Sequence, residues 1–320
     1  MNAVLEIIVP VFGMVAAGWV LGQSSLLSVE GLRGLTNVTF YALFPSLLFR
    51  SMGNVRLEVL SLDILLVFFG AALVLYGLML LLGRALGMRL TDGTVFALSG
   101  TFSNGVGIGI PFVTYAFGEK GLVPLLMIIS VNSLILLTFS SFLMEVAGQG
   151  KAPGRLLTKL GGAVVMMLKH PVIPSIFAGL AWAELAAHVP GGLALPVVLD
   201  RILQALGTAA PPCGLIMAGA SLAHVGLKEH WQTAAVATAV KLAVLPAMVW
   251  LAGRYLFPLD PLWLTVATLN AALPAGANVY LVARLYNSGV GLATNAVVIS
   301  TAASIFTLSA ILVLLDVPAR

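Results

Sequence analysis

Ser103-Asn104-Gly105-Val106-Gly107-Ile108-Gly109-Ile110-Pro111 stands in the middle of an apolar stretch that runs from Gly93 to Phe117. Inside a helix each glycine is unfavourable by about 1 kcal/mol and proline by about 3 kcal/mol relative to alanine, so a helix over this stretch is predicted to unwind at Gly105 to Gly109. Pro111 has no N–H for the carbonyl of Gly107. One half-helix therefore ends near that point, and a second begins with proline at its first turn. Asn104 lies 12 residues beyond Asp92, roughly 18 Å at helical rise and close to the middle of a bilayer. Leu269-Asn270-Ala271-Ala272-Leu273-Pro274-Ala275-Gly276-Ala277-Asn278 repeats the device, with Pro274 freeing the carbonyl of Asn270 and lying 12 residues beyond Leu262.

The surrounding composition places both breaks in a membrane. Of the 320 residues, 60% are hydrophobic and 9% charged, and the mean hydropathy is +1.08. A soluble domain carries about a quarter charged residues, so a soluble fold is excluded. The net charge of +4 comes with no dense basic stripe, which excludes nucleic acid as a partner and leaves the basic residues as orientation signals. The single cysteine, Cys213, excludes a disulfide framework or thiolate cluster and reads as core filler. The first apolar segment has Glu6 near its start and no basic leader, so it reads as a membrane helix and not a signal peptide.

Apolar stretches bounded by charges, Gly and Pro predict ten spans. They run from about Val4 to Leu21, Leu32 to Phe49, Ile64 to Leu82, Gly93 to Phe117, Leu122 to Met144, Pro171 to Ala187, Pro196 to Leu222, Trp231 to Phe257, Leu262 to Leu285 and Gly291 to Leu315. The expected fold is an all-α integral membrane protein. Residues 1–147 form a first five-helix repeat, 148–170 a short basic loop and 171–320 a second repeat. That loop holds Lys151, Arg155, Lys159 and Lys169 with no acidic residue, so it is expected in the cytoplasm and both termini on the opposite side of the inner membrane. Pro45 and Pro211 are 166 residues apart, as are Asn104 and Asn270; Pro10 and Pro174 are 164 apart, and Gly121 and Gly289 are 168 apart. Because five is odd, the second repeat lies upside down relative to the first, the 5+5 inverted-repeat pattern of secondary transporters. Non-helical backbone at mid-depth is tolerated only against protein or a water-filled cavity, and half-helix N-termini aim positive dipole ends inward. An anion or polar substrate is expected there.

The same residues resemble a known family. Asn104 to Pro111, read as N-x-x-x-x-G-I-P and followed by Tyr115-Ala116-Phe117-Gly118, is similar to the fourth helix of the auxin efflux carriers, which include plant PIN carriers and bacterial malonate and malate permeases. Ala272-Leu273-Pro274-x-Gly276, with Val282-Ala283 and Tyr286-Asn287, is similar to that family's ninth helix. The resemblance implies a scaffold of spans one, two, six and seven and a transport domain of spans three to five and eight to ten. Broken helices four and nine would cross, in an arrangement like that of bile-acid symporters. It further implies elevator-type movement and a small organic carboxylate (malonate, malate or an auxin-like acid) contacted by Asn104. The short central loop argues for a bacterial-type permease, and Asn278, where plant members tend to have proline, points from auxin towards a smaller acid.

The substrate-binding set drawn from both readings is Asn104, Gly105, Gly107, Gly109, Pro111, Asn132, Lys241, Asn270, Pro274, Gly276 and Asn278. Lys241 lies 10 residues into span eight, roughly 15 Å deep, where an ionisable group is expensive. It is either a counter-charge for the anion or an acidic residue, or a lysine snorkelling to an interface. On the first reading, replacement by methionine relieves a desolvation penalty. Asn132, Ser300, Thr301 and Ser304 either line the cavity or join helices by hydrogen bonds. No carboxylate lies deep in a span, and His170, His188, His224 and His230 lack ligand spacing, so neither an aspartate proton relay nor a metal or cofactor is implied. The other expected partners are the lipid bilayer, a second copy in a homodimer, and a coupling ion, with H⁺, Na⁺ and uniport all open. Two rival readings are a sodium symporter of the bile-acid carrier type, with unwound carbonyls holding the ion, and a membrane-embedded enzyme, which needs a buried nucleophile with its base that the chain lacks.

Overall fold

Lipid offers no hydrogen bonds, so a chain of this composition must satisfy its backbone within its own segments, and helices do so. The computed structural model describes residues 2–24, 26–55, 60–147, 171–189, 193–223 and 229–317, and they are helical apart from turns and one short pairing of extended segments. The helices are α1 (Asn2–Gln23), α2 (29–52), α3 (Asp63–Ala85), α4 (Leu90–Ser99), α5 (Gly105–Phe117), α6 (Glu119–Ala147) and α7 (Val172–His188). After them come α8 (Val197–Leu222), α9 (Trp231–Leu256), α10 (Pro261–Ala272), α11 (Ala277–Leu285) and α12 (Val290–Leu314). Six of them, α1, α3, α6, α8, α9 and α12, are long and apolar enough to cross a membrane. They coincide with predicted spans one, three, five, seven, eight and ten. Spans two and six fall on α2 and α7, while spans four and nine are each divided, into α4 with α5 and α10 with α11. The basic loop 148–170, with its four cations and His170, lies outside the described residues, as do Arg56, His224, Lys228 and Arg320.

Proline leaves a regular mark on these helices. Four of the five π-helical turns among the described residues, Thr39–Leu43, Gly105–Gly109, Val240–Val244 and Ala252–Leu256, end two residues before a proline (Pro45, Pro111, Pro246 and Pro258). A proline ring presses on the carbonyl four residues back and cannot donate to it. The turn widens instead, so that the preceding N–H reaches five residues back: Phe44 to Thr39, Ile110 to Gly105, Leu245 to Val240 and Phe257 to Ala252.

Packing between helices uses small residues for close approach. A Cβ on Gly18 of α1 would lie 2.1 Å from the carbonyl oxygen of Ile216 on α8, and one on Gly219 of α8 would lie 1.9 Å from the carbonyl oxygen of Val15 on α1. α2 packs on α7 and α8; α3 packs on α4 and α9, and α9 in turn on α10 and α12. Leu66, Val74, Leu81, Phe177, Val198 and Phe306 point outward from the bundle, as a lipid-facing surface requires.

Polar contacts sort to two ends. At one, Arg50 at the end of α2 is 2.8 Å from both Asp200 of α8 and Glu119 of α6. At the other, Gln23 at the end of α1 donates to the carbonyl of Ala223 after α8, Ser288 after α11 donates to Asp92 of α4, and Asn295 of α12 donates to the carbonyl of Glu229 before α9. The glycines of positive φ among the described residues are Gly87 (φ 76°), after α3, Gly118 (φ 64°), between α5 and α6, and Gly289 (φ 61°), at the start of α12. Gly121, which the repeat spacing matched to Gly289, lies inside α6 against Val113 and Phe117, so the turn itself is three residues earlier.

Candidate functional site

The two breaks meet. Between α4 and α5 the chain is extended or turning over residues 100–104, and between α10 and α11 over 273–276. The extended pieces pair antiparallel at Ser103 and Ala275, with Asn104 N donating to Pro274 O at 2.8 Å and Gly276 N donating to Phe102 O at 3.1 Å. Ala275 N donates to Ser300 Oγ of α12 at 2.9 Å. Backbone groups that no helix satisfies at this level thus satisfy one another. The unwinding lies one step before the place the glycines mark, since Gly105 to Gly109 form a wide π turn. The physical reason is space: a Cβ on Gly105 would meet Ile129 Cγ1 at 2.9 Å, and one on Gly109 would meet Leu273 Cδ1 at 2.6 Å.

Asn104 closes the turn. Its Oδ1 accepts from Gly107 N at 3.1 Å, the N-cap arrangement for the segment entering α5. That leaves its Nδ2 without a partner among the described residues. Asn270, 2% exposed, aims Oδ1 at the other side of the same turn, 3.3 Å from the Cβ position of Gly105 and 3.8 Å from that of Gly109. Asn132 is buried one turn beyond Ile129 on α6. Ser103 Oγ, Asn132 Oδ1 and Asn270 Oδ1 are three of the six buried polar side-chain atoms without a hydrogen-bond partner among the described residues.

Lys241 takes another course. It sits in the π turn of α9, fully buried, and its Nζ donates to the carbonyl oxygens of Ala271 and, at 2.8 Å, Leu273. Snorkelling is overturned by that burial. The carbonyl of Asn270, expected to be freed by Pro274, instead accepts from Leu273 N at 3.3 Å, so the free carbonyls of the break are those of Ala271 and Leu273. The ammonium caps the C-terminal end of α10, where the helix dipole is negative.

The sequence model of the family described as "Membrane transport protein" matches residues 3–312. The chain belongs to this family, that of the auxin efflux carriers. It is 27% identical over 317 residues to a Rhizobium meliloti (strain 1021) protein named "Putative malonate transporter", covering 98% of this chain and 97% of that one. With its apolar helices, the chain is thus a multi-pass membrane transporter. In this member of the family, Asn104, Gly105, Gly107, Gly109, Asn270, Pro274 and Gly276 converge at the paired breaks. Gly107 and Pro111 also face α8, where a Cβ on Gly214 would lie 3.4 Å from Pro111 Cγ and 3.6 Å from the carbonyl oxygen of Gly107. Asn278 is half-buried in the first turn of α11, with no hydrogen bond to its side chain among the described residues. Ser103 is a polar group that sequence reading passed over; its one signal is its place beside Asn104 at the break. Of the serines and threonines in α12, Ser300 joins the break to its neighbour, while Thr301 and Ser304 bond their own helix.

Proposed function

We propose that the chain carries small organic carboxylate anions of malonate or malate size, with the substrate held where α4, α5, α10 and α11 meet. The observation that carries this is Asn104 Nδ2, a donor left without a partner among the described residues at the N-terminal turn of α5, with the buried, unpaired Oδ1 atoms of Asn270 and Asn132 as further polar groups nearby. A carboxylate placed there accepts from Asn104 and from the positive end of the half-helix. The relative's name agrees with that substrate class.

The architecture in this reading is ten spans in a 5+5 inverted repeat, with α4/α5 and α10/α11 as crossing broken helices. The two polar ends support it, because Arg50, Glu119 and Asp200 fall on one side and Asp92, Ser288, Gln23 and Asn295 on the other, as alternation of ten spans requires. The close packing of α1 with α8 and of α2 with α7 supports a scaffold of spans one, two, six and seven. The remaining spans move as an elevator-type transport domain. The chain is placed in the inner membrane with both termini on the non-cytoplasmic side, and a homodimer is its assembly. A sodium symporter needs unwound carbonyls for its ion, and at α10 these hold Lys241, so uptake independent of sodium is favoured.

The test is initial uptake of radiolabelled mono- and dicarboxylates into proteoliposomes, with and without sodium and a pH gradient. Saturable uptake of a small dicarboxylate without sodium is the expected result. Uptake of no carboxylate under any condition would sink the proposal.

A further inference from the structure

We infer that the carrier takes a dicarboxylic acid as its monoanion, with the protonated carboxyl group paired to the side-chain amide of Asn270. The inference rests on the carboxylate reading above and adds the protonation state of the cargo. Asn270 is 2% exposed and Ser103 2%, and neither Asn270 Oδ1 nor Ser103 Oγ has a partner, an arrangement that costs about 1–3 kcal/mol for each group left unmade. A carboxylate offers acceptors only. It suits Asn104 Nδ2 and the N-terminal end of α5, but it sets oxygen against oxygen at Asn270 Oδ1.

A carboxylic acid group presents one O–H donor and one carbonyl acceptor side by side. A primary amide presents the complement, and the two close a ring with O–H donating to Oδ1 and Nδ2 donating to the acid carbonyl. Among the described residues the Asn270 side chain makes no hydrogen bond, so neither atom of its amide is committed to the protein beside the turn of Gly105 and Gly109. One ionised and one protonated carboxyl group therefore fill the two kinds of vacancy, and a fully ionised dicarboxylate fills one kind.

Among the described residues, the elements packed against α10 bring no carboxylate or histidine to mid-span beside Asn270. Of the elements packed against α10, α9 brings Lys241, whose Nζ donates to Ala271 and Leu273 carbonyls, and Arg254 near its end. α3 carries Asp63 and Arg84 at its ends, with Tyr76 bonded to Ser140 and Thr94; α6 carries Glu119, Lys120 and Glu145 near its ends, and α12 carries no ionisable group. Protons are then coupled to transport through the cargo itself: a dianion and one proton enter as a monoanion, and the same proton leaves with it on the other side.

Wild-type protein in proteoliposomes is assayed for malonate uptake across a pH range spanning the second pKa of the acid, with malonamate, the monoamide, as competitor. Above that pKa the apparent KM for total malonate should rise about tenfold per pH unit, following the loss of monoanion, while inhibition by malonamate, a permanent monoanion bearing a donor and an acceptor, stays constant. Asn270→Ala should in addition erase the preference for malonate over acetate, because the group that rewards a second carboxyl is gone. Malonate uptake with a KM that is flat or falls as pH rises would overturn the inference and leave the carboxylate carrier standing. Absence of carboxylate uptake would overturn both.

Discussion

Asn104 performs two tasks with one amide, and a pair of substitutions separates them. Oδ1 caps Gly107 N while Nδ2 has no hydrogen-bond partner among the described residues, so Asn104→Ala loses a cap worth about 1 kcal/mol along with the proposed substrate donor. Asn104→Asp keeps the cap and loses the donor. Thermal unfolding in detergent should show a lowered Tm for Ala and a near-native Tm for Asp, with uptake abolished in both; normal uptake by the Asp variant would remove Asn104 from the site. Lys241 reverses a sequence-based expectation. Replacement by methionine was expected to relieve desolvation, yet Nζ serves the carbonyls of Ala271 and Leu273, which methionine would strand at about 1–3 kcal/mol each. Lys241→Met should therefore lower Tm and folded yield as well as uptake, and an unchanged Tm would mean that those carbonyls find other donors.

At the scale of elements, the α1–α8 contact depends on glycine because backbone touches backbone. A Cβ on Gly219 would sit 1.9 Å from the carbonyl oxygen of Val15, closer than any side chain tolerates, so the helices must part. Gly219→Val is expected to reduce folded protein severely, as judged by monodispersity on size-exclusion chromatography. Gly70 on α3 has nothing within 4 Å of its Cβ position, and Gly70→Ala should be neutral or stabilising, by up to about 1 kcal/mol from helix propensity. If the two substitutions behave alike in the same assay, the helix pairing described for α1 and α8 is wrong. The π turns belong to the same scale, since each of those four spreads the strain of a proline over a wider loop, and at Pro45 and Pro246 the helix runs on through it.

For the whole molecule, Arg50 ties α2 to α8 through Asp200 and α2 to α6 through Glu119. In the two-domain reading the first pair lies within the scaffold, while the second bridges scaffold and transport domain and must break when the domain moves. Glu119 is 59% exposed, so the pair adds little to stability. Glu119→Gln should leave Tm almost unchanged and raise the exchange rate of substrate across loaded vesicles, whereas Asp200→Asn, which leaves the bridge in place, should not. Equal effects of the two on exchange would show that Glu119 is no latch.

Several features were legible from the sequence alone because they follow from local chemistry. Low charge and long apolar runs demand a membrane, the clustered glycines with Pro111 and the run at Pro274 mark the two interrupted spans, and the family motif lies in those same residues. Span ends were legible for the same reason, being set by charges and prolines along the chain. What the tertiary structure decided depends on residues distant in sequence. Whether the carbonyls of Ala271 and Leu273, left over at the break, find a donor is settled by Lys241, 30 residues away from Ala271, and nothing in the local pattern links them. The position of the unwinding, at 100–104 and not over the glycines, is set by Ile129, Asn270 and Leu273 crowding the turn and by Pro274 and Gly276 supplying the pairing that extended backbone needs. A sequence states which groups a segment leaves unsatisfied; only the packed molecule states which distant group satisfies them.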